Sequence, residues 1–137
     1  MEILISGQYG DPASRKALGP IQRKLNACFK TYVAGNYFKS DLKFAIAFRV
    51  SGKIWDFKSE GAEHLKYFKK DNTLSIDLVF PESQWLNVDF EELKKYAARG
   101  TFDCLNLMVE KSTELGELVN KDALFIDIEK AMTEFLA

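Results

Sequence analysis

The chain holds a single histidine, two cysteines and three prolines in 137 residues, and each scarcity closes off a class of chemistry. One histidine, His64, cannot build a two-histidine zinc site, and any Ser-His-Asp arrangement would have to use it. No GxSxG turn accompanies it, so His64 reads as an ordinary side chain in the loop after Gly61. Cys28 and Cys104 lie far apart, with no CxxC pair, and read as reduced, half-buried thiols on helices rather than metal or redox ligands. No segment approaches the ~18–20 apolar residues that cross a bilayer. The opening MEILISGQYG has neither the basic start nor the long apolar core of a secretion signal. The expected location is therefore the cytoplasm, with no membrane contact. The remaining composition, 47% hydrophobic and 28% charged, excludes a disordered or low-complexity chain.

What is present is a core. Leu42, Phe44, Ile46, Phe48 and Val50 alternate with Lys43, Ala45, Ala47, Arg49 and Ser51, and Leu74, Ile76, Leu78 and Phe80 alternate likewise with Ser75, Asp77 and Val79. A period of two places each set on one face of a strand. Nine large apolar side chains, each contributing about 1.5–3 kcal/mol when buried, make residues 42–80 the centre of the fold. Ser51-Gly52 reads as a tight hairpin turn into a second strand over residues 53–58, carrying Trp55 and Phe57. Residues 59–63 read as a loop, and Leu65 and Tyr67 open another strand. Pro81 closes the last one.

Helical spacing flanks this sheet. Asp11-Pro12 is a helix start, and Leu18, Ile21, Leu25, Cys28, Phe29 and Tyr32 form an apolar stripe. Gly19-Pro20 predicts a kink or a division into two pieces. Asp89, with Glu92 three residues on, caps a second helix whose stripe runs through Phe90, Leu93, Ala97, Cys104 and Met108. Gly100-Thr101 leaves open whether it is one helix or two. A closing helix with Leu124, Ile128, Met132 and Phe135 follows Asn120 or Asp122. One domain over 1–137 is expected. Its class is α+β: a mainly antiparallel sheet of four to five strands with helices on one face.

Three groups of residues invite a functional reading. Ile5-Ser6-Gly7-Gln8-Tyr9-Gly10, between a strand and a helix, has the shape of a phosphate-binding turn but lacks GxGxxG spacing and GK[ST]. A small ligand-binding domain or enzyme would use this turn. Lys53, Lys58, Lys66, Lys69 and Lys70 lie among Trp55, Phe57, Tyr67 and Phe68, a pattern shared by single-strand nucleic-acid binders and by ordinary half-buried strands. Finally, charge is divided along the chain. Residues 1–70 hold 13 Lys/Arg against 6 Asp/Glu, and residues 71–137 hold 6 against 14. An acidic second half attracts a basic partner.

The apolar strand ending in Ile5-Ser6-Gly7, then Tyr9, Arg15 on the first helix and Leu25-Asn26 resemble the small bacterial immunity proteins that accompany polymorphic toxins, including those of contact-dependent growth inhibition. The resemblance implies a non-enzymatic inhibitor without a cofactor. Its implied partner is the C-terminal domain of a cognate toxin, often a basic nuclease, with no direct contact to nucleic acid and a homodimer left open. Glu82, Trp85, Asp89, Glu91 and Glu92, on the sheet-to-helix connection, are the expected partner-binding residues, because carboxylates beside an aromatic anchor complement a phosphate-attracting cleft.

Overall fold

The computed structural model describes residues 2–51, 60–82 and 88–137. Strand β1 (Glu2–Gln8) leads into helix α1 (Pro12–Tyr32), then strands β2 (Lys43–Val50), β3 (Gly61–Phe68) and β4 (Thr73–Phe80). A single 3-10 turn at Lys69–Asp71 separates β3 from β4, and helices α2 (Phe90–Glu114) and α3 (Lys121–Leu136) close the chain.

The sheet has four strands in the order β1-β2-β4-β3. It is mixed, which corrects the expectation of a mainly antiparallel sheet: β1 pairs with β2 and β2 with β4 in parallel, and only β3 with β4 is antiparallel. The cause is connectivity. Helix α1 returns the chain to the starting end of β1, so β2 runs alongside it as a βαβ unit. β3 then runs back one strand position further out, and β4 enters between β2 and β3. Both edges of β2 are thereby occupied, by β1 and β4. The expected hairpin strand, residues 53–58, lies outside the described residues.

Register explains the core. Ile3, Phe44 and Leu74 stand in one row, and Ile5, Ile46 and Ile76 in the next. All six are buried, at most 5% exposed. The helices cover this face, where they bury Leu18, Leu25, Phe29, Cys104, Met108, Ile128 and Phe135 in the same cluster. The opposite face carries Leu4, which is exposed, and Ala45, Ala47, Ser75 and Asp77, which are half-buried.

The helix starts form as their sequences dictate. Asp11 Oδ1 accepts from the Ser14 amide at 2.7 Å, Asp89 Oδ1 from the Glu92 amide at 2.9 Å, and Asn120 Oδ1 from the Ala123 amide at 3.2 Å. The division expected as one outcome does not occur: α1 continues through Pro20 as one helix. The exposed proline ring faces away from the core, and the burial of Leu18, Ile21, Leu25 and Phe29 outweighs the lost backbone hydrogen bond, a penalty of about 3 kcal/mol. α2 is likewise continuous through Gly100. A Cβ on Gly100 would meet Leu78 Cδ1 at 2.6 Å, so glycine lets this helix lie close against β4. Edge strand β1 is guarded by α1. Asn26 Oδ1 accepts from the Ile5 amide at 2.8 Å, and Gln22 Nε2 donates to the Ile5 carbonyl at 2.6 Å. Side chains thus take the backbone positions that another strand would seek.

Candidate functional site

The turn at residues 6–10 is filled from within. β1 extends through Gln8, and the Tyr9 ring folds back over Gly7 so closely that a Cβ there would lie 2.3 Å from it. Tyr9 is 6% exposed, and burial pushes its hydroxyl well above the ordinary tyrosine value. Gly7 accommodates a ring, whereas Gly10, at φ 77°, supplies the left-handed step of the turn. These two glycines serve the chain's own packing.

Of the lysine-aromatic pattern, Lys53, Trp55, Phe57 and Lys58 lie outside the described residues. Lys66, Phe68, Lys69 and Lys70 are exposed along β3 and the turn after it, whereas Tyr67 is half-buried and donates to Asn72 Oδ1 at 3.0 Å. His64 lies in β3 rather than in a loop, at a break in the β3–β4 register, with φ 59° and Nε2 3.5 Å from Glu63 Oε2. On the sheet face opposite the helices, Arg49 Nε lies 3.0 Å from Asp77 Oδ1, and Arg49 Nη1 donates to Gln8 Oε1. This polar row links β1, β2 and β4. Both charged side chains are about 15% exposed (15% and 14%).

The expected partner-binding residues divide. Trp85 lies outside the described residues. Glu82 is exposed at the end of the sheet, and Asp89, Glu91 and Glu92 are exposed at the start of α2. Asp89 has a structural duty as the N-cap, and Glu92 reaches Lys95 at 4.0 Å across open surface. Carboxylates in a first helical turn also favour the helix itself through its dipole. Sequence reasoning missed Phe90, which it placed in the apolar stripe of α2. By 3.6 residues per turn Phe90 shares the direction of Ala97 and Met108, yet it is 54% exposed. Spacing gives a side chain's direction on a helix but not whether the first turn has sheet beneath it. The outcome is a large aromatic ring in the open, flanked by Asp89, Glu91 and Glu92.

Charge is uneven among the helices. α1 contains five Lys and Arg residues and no Asp or Glu, while α2 holds five acidic residues against four basic, and α3 four against two. Among the described residues no group of three or more His, Cys, Asp or Glu side chains could hold a metal ion. None of the described helices is long and apolar enough to cross a membrane. A family model described as Immunity protein 44 matches residues 1–134. No curated protein and no solved structure matches the chain.

Proposed function

The chain belongs to the Immunity protein 44 family, and from that premise we propose that it neutralises a bacterial toxin domain by binding it directly. It acts without catalysis, in the cytoplasm of the cell it protects, as the immunity partner of a polymorphic toxin of the kind used in contact-dependent growth inhibition. The target is a nuclease domain whose cleft is basic because it must attract phosphate, and the inhibitor covers that cleft.

The observation that carries this reading is the exposed Phe90 ring among the carboxylates of Asp89, Glu91 and Glu92. A buried aromatic anchor with a charged rim is the usual composition of an interface hot spot, and complementary charge gives rapid, selective association. Glu82, exposed at the end of the sheet, adds a further carboxylate to this reading.

The test uses the toxin domain encoded beside this protein's gene. A one-to-one complex is expected, with toxin activity suppressed in step with complex formation. Replacing Glu82, Glu91 and Glu92 together by Ala weakens binding at least tenfold, about 1.4 kcal/mol. Phe90→Ala costs about 2 kcal/mol or more, as hot-spot aromatics do. Asp89→Asn retains capping, since Asn and Asp are equivalent N-caps, so any loss of affinity reports its charge alone. Unchanged affinity in the triple variant and in Phe90→Ala would remove this surface from the interface.

A further inference from the structure

The outer face of α2 carries a pattern that neither the fold nor toxin binding uses. Lys95, Arg99, Phe102, Asn106, Glu110 and Glu114 follow one another at spacings of four, three, four, four and four, which stacks them in one stripe along the helix. All six are exposed. Beside the stripe lies Leu107, so Phe102 at 40% and Leu107 at 39% exposure form an apolar centre between a basic half and an acidic half. Phe102 also borders a groove of about 380 Å³, shared with Ala98, Met132 and Leu136, that widens the apolar area.

The basic pair, Lys95 and Arg99, follows the first turn with its Glu91 and Glu92, and the acidic pair, Glu110 and Glu114, runs into the last turn, where the negative end of the helix dipole disfavours Glu114. Local pairing offers little relief. Lys95 meets Glu92 at 4.0 Å and Lys111 meets Glu114 at 3.5 Å, both in the open, where such pairs contribute about 0–1 kcal/mol. Arg99 and Glu110 have no ion-pair partner among the described residues.

A reversed copy of the same helix satisfies every one of these groups. We propose that the protein self-associates as a two-fold dimer through antiparallel α2 helices. With the axis at the level between residues 104 and 105, Arg99 of one copy faces Glu110 of the other and Lys95 faces Glu114. Phe102 then meets Leu107, and Asp103 meets Asn106. Each ion pair occurs twice, as an isologous interface requires, and the two dipoles oppose one another. A single helix face lies at the low end of specific interface sizes, so the dimer forms reversibly and is weakened by salt.

Sedimentation equilibrium of the full chain over a concentration series in low salt tests this without any toxin present. The weight-average mass rises from 15.6 kDa toward twice that value. Arg99→Glu and Glu110→Arg, each creating two like-charge contacts, weaken dimerisation by roughly tenfold or more. The combined Arg99→Glu/Glu110→Arg protein restores it. A mass that stays monomeric throughout would overturn the proposal, as would a dimer indifferent to Arg99→Glu or one that the combined exchange fails to restore. None of these outcomes depends on toxin binding, which is assigned to Glu82, Phe90, Glu91 and Glu92 rather than to this stripe.

Discussion

Cys104 has no exposed surface, and burial, reinforced by Asp103 and Asp77, pushes its thiol up to about 12. Burial likewise raises Cys28, on α1, above the ordinary value. Both cysteines are free and lie on helices, as the sequence reading has them, though they are buried rather than half-buried. The consequence for stability has a definite sign. Between the ordinary thiol value of 9.0 and about 12 the folded protein keeps a proton at Cys104 that the unfolded chain has released. Unfolding then becomes easier as pH rises, whereas below the ordinary value the thiol contributes no slope. The urea midpoint is therefore expected to be independent of this group near neutrality and to fall through the alkaline window. Cys104→Ala, although less stable at neutral pH, shows a shallower alkaline fall, and parallel curves for the two proteins would refute the assignment. Other residue-scale facts were not legible beforehand. Nothing in Ser6-Gly7-Gln8-Tyr9 states that the ring two residues on will return to cover Gly7, because that contact depends on α1 closing over β1.

Elements were legible to the extent that their determinants are local. Caps at Asp11, Asp89 and Asn120 follow from side chains that accept the first free amides, and period-two alternation marked β2 and β4 correctly. Pairing was not local. Ser51-Gly52 has the composition of a hairpin turn, yet β2 finds parallel neighbours on both sides because α1 and β4 dictate its surroundings. The continuity of α2 is a second case. By propensity alone, Gly100→Ala should stabilise a helix by about 1 kcal/mol. Here the added methyl would press on Leu78 at 2.6 Å from Cδ1, and Leu78 is fully buried. Overpacking of this kind costs about 1–3 kcal/mol, so the substitution is expected to be net destabilising, by about 1 kcal/mol, in denaturant unfolding. Leu78→Ala opens that space. In a double-mutant cycle Gly100→Ala should then become neutral or favourable, and additive effects would show that the close approach is not what demands glycine.

At the scale of the whole molecule the division of charge is the property the sequence announced most directly. Its second half contributes the carboxylates at the start of α2, while the first half's excess is concentrated on α1, five cations without an anion. The exposed aromatic that completes the proposed binding surface was hidden because residue spacing alone assigned Phe90 to the core. Charge and ring should act on different steps of toxin binding. Long-range attraction between Glu91, Glu92 and a basic cleft operates before contact, so Glu91→Lys/Glu92→Lys should lower the association rate and flatten its dependence on salt. Phe90 gains its energy only after water has been excluded around it, so Phe90→Ala should leave association nearly unchanged and accelerate dissociation, by roughly 30-fold for a loss of about 2 kcal/mol. Stopped-flow mixing with the toxin domain, followed by competitive displacement, separates the two rates. If the charge reversal changes only dissociation, or Phe90→Ala slows association as much as it speeds release, the two groups do not divide the work in this way, and steering must come from charges elsewhere on the inhibitor.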